Sequence, residues 1–398
     1  MLNKKLISIT IFLLMISSNI SLKSNTPSVN TVMNFISSQL FPEIRPRHIT
    51  VYTTSGDWDY LFIPSVSKYL FEEIEIVENL APKGQHNRPG NVYDKHYICI
   101  HDTGDANIDA KRWSEIVRDG KHGQTIYAAS FQYVIGNDGY FHMIPDNEIA
   151  YHAGDGHTEA SIFGTIASGV FTHELKDKKP IIKVSEDGYY LINGEKSGIK
   201  APTNDKGEII TKINDLGIYS ELRKVEGEEN KYEYYLGRTW YNDEFGYISN
   251  YGGNLNSIGI EMSIKNGTDL YYSYQRMAKL SAKLMDTFNL TIDDVVQHHY
   301  FSGKNCPETQ RGNGLWGYFK SLILNEYQML QYKKMGFSFE FISESEYINE
   351  KGRIIKPVDE KTLIEYKIKV KDNNTGNELK KEFNGYLYPK AQWINTPT

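Results

Sequence analysis

The sequence predicts an α/β protein: a mixed central β-sheet flanked by helices, with an inserted subdomain and a small β-rich C-terminal module. Three observations carry this. Short apolar runs alternate with longer segments of helical period between Tyr97 and Leu330. The stretch from about 155 to 253 breaks that alternation with hairpin-like pieces. Beyond 336 the apolar runs become short and alternating, as strands require.

Taken in order, residues 1–25 read as an export signal. Lys4 and Lys5 precede a mostly apolar run, Leu6 to Ile16, that is too short for a comfortable membrane span. No small-residue cleavage pattern with Ala follows it, so an uncleaved anchor is the alternative; no Cys follows either, which excludes a lipid-attached terminus. Residues 26–85 form an N-terminal extension whose runs Val32–Phe41, Tyr60–Ile63 and Tyr69–Ile76 look partly helical. Asn87-Arg88-Pro89-Gly90 is a loop before the main domain, 86–335.

That domain opens with Tyr97-Ile98-Cys99-Ile100, a short buried-strand pattern. Ile108, Trp113, Ile116 and Val117 share a helical spacing that Asp119-Gly120 stops. Asn137-Asp138-Gly139 turns the strand Phe131–Ile135 into Tyr140–Ile144. Ser257–Ser263 is strand-like, and Met277, Leu280, Leu284 and Phe288 trace one helical face. Val295-Val296 is a brief strand that delivers His298, and Leu315–Leu330 is a further amphipathic helix. A structureless loop as long as 155–253 is improbable, so Ile181–Ser185 and Gly188–Ile192 are read as strands of an inserted subdomain. In 336–398, Phe337–Ile342 and Leu363–Val370 read as strands; Glu360–Glu365 fits strand or helix.

Composition narrows the function classes. The chain has 398 residues, 40% apolar and 24% charged, with net charge −6. Nothing here favours nucleic acid or an anionic membrane surface, and no stable membrane span is expected once the signal is removed. Tyrosine is abundant, at 29 residues, which suits sugar and peptide surfaces but equally reflects coding bias.

The chemistry concentrates in Gln297-His298-His299-Tyr300-Phe301-Ser302-Gly303-Lys304-Asn305-Cys306-Pro307. Imidazole and thiolate are ligands that zinc prefers, and catalytic zinc keeps three protein ligands and one open position. Ile98-Cys99-Ile100-His101-Asp102-Thr103-Gly104 offers a third ligand. On the residues alone His298 and His299 both stand as ligands, although on a strand they would point to opposite faces. Cys99 and Cys306 are the only cysteines, so a disulfide between them is the competing reading in an exported chain. Glu261 ends an apolar strand, where a carboxylate is costly without a partner or a task.

Several motifs in one order carry a resemblance. They are Asn87–Gly90, the strand ending His101-Asp102-Thr103-Gly104, the Tyr133…Gly139 hairpin, Tyr151-His152-Ala153-Gly154, Ser257-Ile258-Gly259-Ile260-Glu261, and His298…Lys304-Asn305-Cys306-Pro307. The chain resembles the type-2 N-acetylmuramoyl-L-alanine amidases, whose fold is shared with peptidoglycan recognition proteins. The likeness spans about 87–330, less the insertion.

The resemblance implies Zn2+ held by His101, His298 and Cys306, with His298 chosen over His299 because the family's ligand histidine stands eight residues before the cysteine. It implies Glu261 as general base, Lys304 as stabiliser of the tetrahedral oxyanion, and His152 as a substrate-groove residue. Asp102, beside His101, is expected to point away from the metal as a turn or capping residue. The implied reaction is hydrolysis of the amide between N-acetylmuramic acid and L-alanine in peptidoglycan, by a secreted or cell-envelope protein that meets both glycan strand and stem peptide. The chain departs from the pattern at Phe131, two residues before Tyr133, where some members carry a catalytic-type tyrosine; the proton transfer then falls on Glu261. Gln132 stands where histidine is common, and the insertion is far longer than the usual connection. A peptidoglycan-binding module without catalysis is the alternative function, and an adhesion protein with a Cys99–Cys306 disulfide is a third.

Overall fold

The computed structural model describes residues 26–53, 56–154, 165–173, 180–201, 207, 209, 218–240, 253–302, 304–389 and 394–395. The expected signal, 1–25, lies outside them. Among the described residues no helix is long and apolar enough to cross a membrane.

The chain begins with helix α1 (Val29–Ser38), whose first turn is capped by Ser28 Oγ accepting from the Thr31 amide. Strand β1 (Glu43–Ile44) follows, then the hairpin β2 (Arg47–Thr53) and β3 (Gly56–Phe62). β4 (Ile76–Glu78) and β5 (Tyr97–Asp102) lead to helix α2 (Ala110–Asp119). Asp109 caps α2, and Gly120 ends it at φ 62°, a left-handed conformation that glycine adopts without a Cβ penalty. A small hairpin, β6 (Lys121–His122) and β7 (Thr125–Ile126), precedes the hairpin β8 (Tyr133–Gly136) and β9 (Gly139–His142).

The described part of the expected insertion holds two three-stranded antiparallel sheets. One contains β10 (Thr165–Thr172), β14 (Ile218–Lys224) and β15 (Tyr232–Trp240); the other contains β11 (Ile182–Val184), β12 (Tyr189–Ile192) and β13 (Glu195–Lys200). They share a core of Val170, Tyr190, Ile192, Leu222, Tyr234 and Leu236. The chain then returns through α3 (Gly253–Asn256), β16 (Ser257–Met262), α4 (Leu270–Phe288), β17 (Val295–Gln297), α5 (His299–Ser302), α6 (Glu308–Arg311) and α7 (Trp316–Lys334). The C-terminal part adds β18 (Phe337–Ile342), β19 (Thr362–Asp372), β20 (Glu378–Leu387) and β21 (Ile394–Asn395), so Thr362–Glu365 is strand rather than helix.

The central sheet has the order β17-β5-β16-β8-β9-β4. It is mixed, as expected: β17, β5, β16 and β8 run parallel, and β9 is antiparallel to β8. Side chains alternate between faces along each strand. Ile98, Ile100, Ile258, Ile260 and Met262 face helices α4 and α7 in the largest core, with Met277, Leu280, Phe319 and Leu322. Each such side chain contributes roughly 1.5–3 kcal/mol by leaving water. The other face carries Cys99, His101, Gly259 and Glu261, which the strand register sets side by side: Gly259 opposite Cys99 and Glu261 opposite His101. Helix α2 covers Val134 and Phe141 on the neighbouring strands.

The N-terminal residues 26–85 join two units. β4 extends the central sheet beside β9, whereas β1 pairs with β20 in the sheet β1-β20-β19-β18. Val32, Met33 and Ile36 of α1 pack on Ile364, Tyr366 and Ile368 of β19 and on Met329 and Tyr332 of α7.

Candidate active site

His101 sits on β5 with 1% of its surface exposed, and His298 follows β17 with 8% exposed. The strands place them together because β17 pairs parallel with β5 and the His298 amide donates to the Ile100 carbonyl at 3.2 Å. The segment then folds back: the His299 amide donates to the Cys306 carbonyl at 3.1 Å. That turn carries Cys306 to the same spot, with Sγ 3.8 Å from His101 Nδ1. Potential ligand atoms of His101, His298 and Cys306 all lie within 4.8 Å of one another. His299 is elsewhere, its Nδ1 3.2 Å from the Lys304 carbonyl.

Glu261 completes the group. Its Oε1 is 3.7 Å from His101 Nδ1, and its Oε2 is buried without a hydrogen-bond partner. Burial pushes its carboxyl up to about 8, while the Lys304 ammonium pulls it down. Burial likewise holds His101 and His298 well below the ordinary histidine range, so both rings are neutral at neutral pH. The ammonium of the exposed Lys304 acts on both rings in the same sense. Burial, then the Glu261 carboxylate, pushes the Cys306 thiol up.

Asp102 points to the opposite side of β5 from His101, as expected, and its Oδ2 accepts from the Thr309 amide at 2.7 Å. This fixes the first turn after Cys306-Pro307. Both cysteines are free thiols, so the Cys99–Cys306 disulfide is ruled out. Cys99 is fully buried with Ala153, Val296 and Phe301.

His152 was expected in the substrate groove. Its Nδ1 lies 2.9 Å from His101 Nε2, and its Nε2 is buried. Neither ring nitrogen is presented to a ligand arriving from solvent. Burial, then the Lys95 ammonium, holds the ring down at about 3. Phe131 is 2% exposed and packs in the core under α2.

Three supporting residues escaped the sequence reading. Asn254 Oδ1 accepts from the amides of both His152 and Ala153 at 2.8 Å. Gln132 Oε1 accepts from the Gly259 amide at 2.7 Å and its Nε2 donates to the Glu148 carbonyl at 2.9 Å. A Cβ on Gly259 would stand 2.8 Å from Cγ, Cδ2 and Nδ1 of the His152 ring. Gly259 carried a readable signal, since an isolated glycine inside a strand marks a close approach. Asn254 carried none, because its partners lie 101 and 102 residues away.

Residues 91–190 match the Amidase_2 family, described as N-acetylmuramoyl-L-alanine amidase. His101 and His152 fall inside that segment; Glu261, His298, Lys304 and Cys306 lie beyond it. The chain is 26% identical over 159 residues to the N-acetylmuramoyl-L-alanine amidase CwlA of Bacillus subtilis (strain 168), covering 35% of this chain and 57% of that protein. It thus spans little more than half the length of that relative. Among solved structures, the catalytic domain of XlyA overlays with a TM-score of 0.35 at 20% identity, covering 63% of this chain and 99% of that one. The Staphylococcus aureus hydrolase AmiA, solved with its ligand, gives 0.35 at 11% identity, covering 65% and 86%. The fold assignment itself rests on the strand order and register above. Over residues 91–190, the chain is thus similar to the N-acetylmuramoyl-L-alanine amidases.

Proposed function

We propose that this chain is a zinc-dependent amidase that hydrolyses the bond between the lactyl group of N-acetylmuramic acid and the L-alanine of the peptidoglycan stem. The observation that carries the reading is the convergence of His101, His298 and Cys306 within 4.8 Å, with Glu261 beside them. The donor set fits zinc: two neutral imidazoles and one thiol that ionises on a cation. His298 Nδ1 is also buried without a hydrogen-bond partner, which is unusual for a polar atom unless a ligand satisfies it. When bound, the ion supplies Lewis acidity, polarising a carbonyl and acidifying water at its open position.

The rest of the chemistry belongs to side chains. Glu261 takes a proton from the attacking water and returns it to the leaving amine. The Lys304 ammonium favours the ionised carboxylate that a base requires. It also offers a cation to the negative charge that develops on the scissile oxygen. Phe131 has no hydroxyl to share the proton transfer, which assigns it to Glu261.

The domain division follows the same reading: an export signal at 1–25, an N-terminal extension at 26–85, the amidase domain at 86–335 with its insertion at about 155–253, and a β-rich module at 336–398. Secretion to the cell envelope brings the protein to peptidoglycan, its substrate and partner. The test is the release of new amino termini from purified walls. Cys306→Ala and Glu261→Ala abolish it while circular dichroism stays unchanged; full activity in both variants overturns the mechanism.

A further inference from the structure

The His101–His152 contact has no task in the reaction proposed above, yet several elements hold it in place. His101 Nε2 lies 2.9 Å from His152 Nδ1, with the two rings nearly perpendicular at 84° and centroids 5.0 Å apart. The other nitrogen of His101 faces the opposite way. Nδ1 is 3.8 Å from Cys306 Sγ and 3.7 Å from Glu261 Oε1. An imidazole presents its two nitrogens in divergent directions, so each serves one neighbourhood. The hydrogen bond made by one nitrogen decides which tautomer the other presents.

The His152 ring is fixed by three constraints. Its backbone amide and that of Ala153 both donate to Asn254 Oδ1 at 2.8 Å. Its ring lies over Gly259, where any Cβ would come within 2.8 Å of three ring atoms. Gly259 in turn is anchored by Gln132 Oε1, which accepts from its amide at 2.7 Å. Glycine at this strand position therefore makes room for an imidazole rather than for a bend.

We infer that His152 is a positioning residue: it accepts the Nε2 hydrogen of His101 and locks that ring in the tautomer whose Nδ1 lone pair faces Cys306, His298 and Glu261. Gly259 and Asn254 hold His152 for this purpose. A second arrangement competes with it. Ligand atoms of Cys99, His101 and His152 also fall within 4.8 Å of one another, as a cation site would require. The nitrogen separation argues against that site. Two imidazole nitrogens on one tetrahedral zinc stand roughly 3.3 Å apart, given bonds of about 2.0–2.1 Å. At 2.9 Å the pair is a hydrogen bond. Partners of this kind orient a ligand histidine and raise its basicity, and removing them weakens metal affinity by about 10–100-fold.

The consequence for metal affinity rests on the zinc reading, whereas the tautomer of His101 does not, so two measurements separate them. Zinc affinity is measured by chelator competition for the wild type, His152→Leu, His152→Asn and Gly259→Ala. The tautomer of His101 is measured by nitrogen-15 NMR of the metal-free full chain. Leucine removes the acceptor, asparagine keeps an oxygen near the position of Nδ1, and the alanine at 259 displaces the ring without touching a ligand. The expected result is a loss of about 10–100-fold for His152→Leu and Gly259→Ala, with His152→Asn within a few-fold of wild type. Metal-free wild type shows the Nε2-protonated His101, and His152→Leu shows a mixture. The inference is overturned if His101 carries its proton on Nδ1 in the wild type, or if His152→Leu matches the wild type in both readouts. If the wild type binds no zinc, the zinc reading fails and the tautomer alone decides the role of His152.

Discussion

Glu261 and His101 are direct neighbours on parallel strands, with Glu261 Oε1 3.7 Å from His101 Nδ1. Because the pair is set by strand register and not by a loop, the carboxylate cannot drift from the ligand cluster without unpairing the sheet. Glu261→Gln keeps the shape and removes the proposed base. The expected outcome is a fall in kcat of about 10²–10⁴-fold with zinc content unchanged. Steady-state kinetics alongside metal analysis checks it.

In the proposed reaction Lys304 acts by charge. It is exposed, and its ammonium is felt by Glu261, His101 and His298. Lys304→Met should lower kcat by about 10²–10³-fold, the usual cost of one oxyanion donor, and leave the melting temperature within experimental scatter. A variant with normal kcat would remove Lys304 from the reaction.

His298 and His299 should separate cleanly. His298 is in the ligand cluster, whereas His299 Nδ1 rests near the Lys304 carbonyl. His298→Ala is expected to lose stoichiometric zinc, and His299→Ala to keep it. The reverse pattern in metal analysis would transfer the ligand role to His299.

The loop that opens the main domain gives a pH prediction. Arg88 Nε donates to Glu148 Oε2 at 2.8 Å in a pair that is 11% and 9% exposed. The Arg88 guanidinium holds the Glu148 carboxyl below its ordinary value of 4.5, against a smaller opposing effect of burial. A depressed folded-state pKa contributes stability that is present above the unfolded value and lost as pH falls through the folded one. The wild type should therefore melt several degrees above Glu148→Gln at pH 7, and the gap should close below about pH 4.5. A gap that widens on acidification would contradict the assignment.

Much of this was readable from residue order, and the limits were physical. The strand delivering His101, the helix stop at Gly120 and the Asn137–Gly139 hairpin follow from local patterns, because period and turn chemistry are local. Residue types alone marked the two ligand-bearing segments, but the choice of His298 with His101 and Cys306 came through motif resemblance, since the Cys306–His101 contact spans 205 residues. The contact of His152 with His101 was not legible, because the two residues lie 51 positions apart. The joining of β1 to β20 was equally hidden: a two-residue strand has too short a pattern to announce its partner.

The most direct test of the central claim is mass spectrometry of purified peptidoglycan digested by the full chain in its zinc-loaded, chelated and zinc-restored forms. The account predicts stem peptides with a free L-alanine amino terminus and glycan strands with a free lactyl carboxyl, produced by the zinc-loaded protein, absent after chelation and regained with zinc. Cleavage at another bond, or the same products from the chelated protein, would contradict it.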